Sequence, residues 1–105
     1  MLFRSLGMKK LIVLYKKPED EHKFVEYYNN VHVPLVKKVP GLLNLVVNRI
    51  TGTPFGNEPD YFMIVEMHFS DGDFDKAMQS EENRAAGKDI KNFAQGLVTL
   101  LIADA

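Results

Sequence analysis

The chain is predicted to fold as an α+β domain of the ferredoxin-like kind, a four-stranded antiparallel sheet carrying both its helices on one face, in the order β-α-β-β-α-β. Three observations predict it. Four short apolar or β-branched runs, at 10–16, 42–51, 61–69 and 97–103, have the length and composition of strands. Between the first and second, and between the third and fourth, apolar residues recur at three- and four-residue steps, the mark of one helical face. Turn-forming residues separate these blocks, at Lys17-Pro18, Pro40-Gly41, the 52–59 stretch and Gly96.

The first strand, 10–16, is a compact apolar run closed by Lys17-Pro18. Proline suits the opening of a helix, and Glu19, Asp20 and Glu21 favour the positive end of its dipole. Phe24, Tyr27, Tyr28, Val31 and Leu35 then share a face, so a helix is expected over 19–32. Pro34 lacks an amide proton and disfavours helix at Val33, which predicts a break or kink there. Pro40-Gly41 makes the corner into the second strand, rich in Val, Leu and Ile. The 52–59 segment, with two glycines and two prolines, reads as a surface loop. In the third strand Tyr61, Met63, Val65, Met67 and Phe69 face one way and Phe62, Ile64, Glu66 and His68 the other. Ser70 to Asp73 caps a helix bearing Phe74, Ala77 and Met78. Ser80-Glu81-Glu82 opens another, leading into Ala85, Ala86, Ile90 and Phe93.

Composition narrows the function classes. With 105 residues, 46% hydrophobic and 26% charged, the chain has room for one domain, expected over residues 8–105 with 1–7 as an N-terminal extension. A formal net charge of -1 offers no general attraction for nucleic acid or anionic lipid. The absence of cysteine removes disulfides, thiolate nucleophiles and thiol metal sites. The apolar run 11–15 is too short for a signal core or a membrane span, so a cytoplasmic protein is expected. No phosphate-cradling glycine loop and no Gly-x-Ser-x-Gly elbow occurs. The topology leaves one sheet face bare while apolar residues supply both faces, so a homodimer packed sheet to sheet is predicted.

Phe24, Tyr27-Tyr28, His32, Pro34-Leu35 and Pro40-Gly41, followed by Asp60-Tyr61, Phe69-Ser70-Asp71, Phe74, Ala77, Ser80-Glu81, Asp89 and Phe93, resemble the pattern of the EthD family, named for ethyl tert-butyl ether degradation. The resemblance covers nearly the whole chain from Met8 to Ala103. It implies a dimeric α+β barrel, in which two ferredoxin-like sheets face each other. Proteins of that architecture include cofactor-free monooxygenases, muconolactone isomerases, polyketide decarboxylases and cyclases, and larger haem enzymes, so the shape is narrowed further than the reaction. One departure is visible: Tyr28 stands where many relatives have tryptophan.

His32 is the leading candidate for acid/base chemistry, because imidazole titrates near neutral pH. Tyr28 is the candidate to orient a substrate oxygen, and Tyr27 a further contact. Glu66 and His68, two apart on one strand face, are candidate substrate contacts if that face meets the helices and interface residues if it lies between sheets. Arg49 is a candidate anchor for an anionic or carbonyl group. A metal set can be written from His32, His68 and Glu66, but no helical ligand spacing supports it, and neither metal nor cofactor is expected. The reading is a cofactor-independent oxidoreductase, decarboxylase or cyclase acting on a hydrophobic small molecule. The alternative is a non-catalytic carrier or accessory protein of an oxygenase degradation pathway.

Overall fold

The computed structural model describes residues 7–105. The expected N-terminal extension therefore lies outside the described residues except for Gly7, whose carbonyl accepts from the Asp71 amide at 2.9 Å and so is tied to the fold. The elements run β1 (Met8–Tyr15), α1 (Glu21–Tyr27), a π-helical turn (Tyr28–His32), α2 (Val33–Val36), β2 (Asn44–Arg49), β3 (Met63–Ser70), α3 (Asp71–Met78), α4 (Glu81–Phe93) and β4 (Val98–Asp104). The strands form one antiparallel sheet in the order β2-β3-β1-β4, with the central pair β1 and β3 in register Val13 opposite Val65. This is the predicted ferredoxin-like arrangement.

Local chemistry explains the element ends. Asp20 caps α1: its carboxylate accepts from the Lys23 amide at 3.0 Å. Ser80 does the same for α4 through the Asn83 amide at 3.1 Å, as its sequence predicts. Gly41 adopts φ +80°, and a Cβ there would meet Asp73 Cβ at 3.2 Å, so glycine answers both the turn and the close approach of α3.

Of the break or kink expected at Val33-Pro34, the break does not occur. Val33 keeps helical angles, and its amide reaches back five residues to the Tyr28 carbonyl. The widened turn passes through the proline, and α2 continues until the Lys37 amide closes on Val33. A π turn thus absorbs the proline that would otherwise stop the helix.

The core lies between sheet and helices. Tyr15, Val13, Met63 and Val65 from the sheet pack with Phe24, Tyr28, Phe62 and Ala94, and a second cluster joins Met67 and Phe69 to Val36, Val39, Phe74 and Ala86. The Phe24 ring meets Tyr15 and Phe62 edge-on at 5.4 and 5.6 Å. Phe62 corrects the expected strand pattern: it precedes β3 and turns into the core instead of sharing the Ile64, Glu66 and His68 face. Its backbone still bonds to both sides, the amide donating to the Tyr15 carbonyl at 2.8 Å and the carbonyl accepting from the Ile50 amide at 2.9 Å, while full burial of such a ring stabilises by roughly 1.5–3 kcal/mol. β2 is likewise shorter than expected at both ends.

Candidate functional site

His32 ends the π turn and is 4% exposed. Its ring packs on Phe93 at 4.7 Å and against Tyr28 at 5.6 Å. Its Nδ1 lies 3.0 Å from Asp89 Oδ2, both side chains being almost fully buried. Asp89 comes from α4, and its other oxygen accepts from the Tyr27 hydroxyl at 2.6 Å and from Asn92 Nδ2 at 2.9 Å. Three donors therefore converge on one carboxylate.

That accounting fixes the protonation pattern. Burial disfavours charge on Asp89, but the donations from Tyr27, Asn92 and His32 outweigh it and hold the carboxyl below its ordinary range. His32 moves down as well: burial disfavours imidazolium by more than Asp89 favours it. A neutral imidazole beside a carboxylate places its proton on Nδ1, donating to Asp89, and leaves Nε2 as a lone-pair acceptor. The Tyr27 phenol is raised by its bond to Asp89 and then by burial, so it remains a donor.

Among the described residues Nε2 has no hydrogen-bond partner, and neither do the hydroxyls of Tyr28 and Tyr15, which are 2% and 1% exposed. Yet no fully enclosed side-chain polar atom among the described residues lacks a partner. The small exposure of these residues must therefore include those polar tips. Along the sheet, Tyr15, Val13 and Leu11 stand opposite Val98, Leu100 and Ile102 on the helix-bearing side. Leu100 and Ile102 remain 54% and 63% exposed, so the helices leave this part of β4 uncovered.

The other candidates fall elsewhere. Glu66 and His68 lie on the opposite sheet face, where Glu66 Oε1 is 3.0 Å from His68 Nε2 and 2.8 Å from Lys10 Nζ. Of the two expectations for that face, contact with the helices is excluded, because Val65 and Met67 take the core side. The same alternation separates His68 and Glu66 from His32, so the three cannot share a metal ion. Arg49 lays its guanidinium over the Phe62 ring at 3.9 Å and lines a hollow of about 540 Å³ with Lys17, Thr53, Asn57 and Tyr61. Its strand position is two strands from Tyr15, roughly 10 Å away, so it stands apart from His32. Tyr27 does join His32, through Asp89. It also borders a groove of about 360 Å³ with Phe24, Lys91, Asn92 and Phe93.

Three participants escape a reading of side-chain chemistry alone: Asp89, Asn92 and Tyr15. Asp89 had a signal, an acid three residues after Ala86 and four before Phe93 on the apolar face of a helix. Tyr15 had none, being one more aromatic at a strand end.

Comparison with known proteins places this arrangement. Residues 16–96 match the family model described as the EthD domain. An EthD family protein from Bacillus halodurans, known from a crystal structure, is 43% identical; the match covers 93% of this chain and 98% of that one, with a TM-score of 0.87. An EthD-like protein from Ralstonia eutropha is 25% identical over 93% of this chain and 91% of its own, with a TM-score of 0.71. A Rhodococcus erythropolis relative, described as an uncharacterized 11.0 kDa protein in the thcB-thcC intergenic region, is 32% identical over 92% of this chain and 94% of its own. More distant likenesses share the fold alone. They include a dimeric ferredoxin-like protein from Bacteroides fragilis (18% identity, TM-score 0.65), a hydroxynitrile lyase from Passiflora edulis (15%, 0.73) and SnoaB, a cofactor-independent oxygenase from Streptomyces nogalater (8%, 0.66). The chain belongs to the EthD domain family.

Proposed function

We propose that this protein is an acid/base catalyst acting on an apolar small molecule, with His32 moving the proton. The observation that carries the reading is the buried His32–Asp89 pair with Nε2 left without a partner among the described residues. Asp89 holds the ring in one orientation and one tautomer, and Nε2 is the atom that accepts or returns a proton. Tyr28, whose phenol burial pushes up to about 12, stays protonated and presents a donor to a substrate oxygen. Leu100 and Ile102 offer the apolar floor. The lyase and the cofactor-independent oxygenase of related fold support a site of this kind on this scaffold, and the reading itself invokes no cofactor.

The reading includes a homodimer in the cytoplasm. Ile12, Leu14, Val46, Ile64 and Leu101 share the sheet face that carries no helix, and Leu101 is 49% exposed there. A second sheet would cover this face. The dimeric descriptions of several proteins of the same fold support that pairing. Among the described residues no helix is long and apolar enough to cross a membrane.

The test is turnover across a panel of apolar ketones, lactones and cyanohydrins, with wild type and His32→Gln compared over pH 5–9. The proposal expects a rate that rises with pH through an apparent pKa below the ordinary histidine value of about 6.5 and is lost in His32→Gln. Binding without turnover, unchanged in His32→Gln, would favour a carrier instead.

A further inference from the structure

We infer that Tyr15 and Tyr28 together form a two-phenol cradle for an oxyanion, so that the substrate class is a carbonyl compound with an acidic C–H beside the carbonyl. The inference rests on the role proposed for His32 and adds to it the electrophilic half of the site. Tyr15 comes from the last position of β1 and Tyr28 from the start of the π turn, and their rings meet edge-on at 5.9 Å. Each side chain is more than nine-tenths buried, and each hydroxyl lacks a hydrogen-bond partner among the described residues. A buried tyrosine usually meets its hydroxyl with a partner, and phenylalanine would serve packing alone. The Tyr28 ring contacts both the Tyr15 ring and the His32 ring, at 5.9 and 5.6 Å, and we read this grouping on the helix side of the sheet as a site that a ligand oxygen completes.

Both phenols are held in the protonated form. Burial raises Tyr28, while burial, then Tyr28, then Asp89 raise Tyr15. They are thus donors and not bases, which leaves proton removal to His32. In the inferred step Nε2 takes the α-proton, and the C–H electron pair becomes the C=C bond of an enolate. The carbonyl π pair moves onto oxygen, where both hydroxyls donate to it without losing their protons. Return of the proton from Nε2 to carbon restores the imidazole, so no oxidant or reductant is needed.

Binding and chemistry separate the two claims. The probe for the cradle is 4-nitrophenolate, an oxyanion on an apolar ring, set against neutral nitrobenzene at pH 8.5 and read by absorbance and calorimetry. The probe for the base is exchange of the α-hydrogens of α-tetralone in D₂O, followed by proton NMR. The cradle predicts that the phenolate binds at least about tenfold more tightly than nitrobenzene. Tyr15→Phe and Tyr28→Phe should each remove about tenfold of that preference while leaving nitrobenzene affinity and the melting curve nearly unchanged. No preference for the phenolate, whether both probes bind equally or neither binds, overturns the cradle. So does a preference that survives in Tyr15→Phe. If the preference depends on both tyrosines but exchange is unaffected in His32→Gln, the cradle stands and the role of His32 falls.

Discussion

The molecule holds two histidine–carboxylate pairs at the same 3.0 Å separation, one on each side of the sheet. His32–Asp89 is enclosed by Tyr28 and Phe93, and every oxygen of its carboxylate is met by neutral or histidine donors. His68–Glu66 is part-exposed, and Lys10 supplies Glu66 with a permanent cation, which with His68 holds the carboxyl below its ordinary range. Equal distances do not make equal chemistry. Enclosure keeps the first imidazole neutral and directs its free nitrogen to a reactive position, whereas the second pair neutralises polar groups on a face otherwise suited to a partner sheet.

The largest expected contrast is in stability. Asp89→Ala would strand three donors in or near the core and is expected to cost about 3 kcal/mol by urea unfolding, against about 1 kcal/mol or less for Glu66→Ala. Equal costs would remove the distinction. In the tetralone exchange assay His32→Gln should lower the rate by about 10²–10⁴, the usual worth of a general base, while His68→Gln should stay within a few-fold.

Much of this was legible beforehand, for identifiable reasons. Strand order and helix placement follow from periodicity and turns, which are local. His32 stood out because a histidine on an otherwise aromatic helical face has few structural uses. Its partner did not, because Asp89 is 57 residues away and the pairing exists only once α4 packs on the π turn. Pro34 misled because the cost of its missing amide is usually met by ending a helix, and here a wider turn meets it. Glu66 and His68 were correctly placed on one face, but alternation alone does not say which face carries the helices. Phe55, 95% exposed on the β2–β3 loop, has no role in this account.

The pH dependence sharpens the comparison further. Both His32 and Asp89 have folded-state pKa values below their ordinary ones, so the unfolded chain binds more protons through that range. Stability from the pair is full above about pH 6.5 and falls as pH drops, first as unfolded histidine protonates and then as the carboxyl does. The gap between the thermal melts of wild type and His32→Gln should be widest and constant above about pH 6.5 and narrow toward pH 5. A gap that stays constant down to pH 5 would mean that His32 carries no shift. The smallest effect is expected on the open face: Leu101→Lys should shift sedimentation toward monomer at micromolar protein while leaving the unfolding free energy of each chain within about 0.5 kcal/mol.

The most direct measurement is the long-range ¹H–¹⁵N spectrum of the histidine rings across pH 5–8. The account predicts that His32 is neutral at pH 7, with its proton on Nδ1 and Nε2 bare, and stays so below the range where an ordinary histidine charges. A doubly protonated ring at pH 7, or a proton found on Nε2, would contradict it.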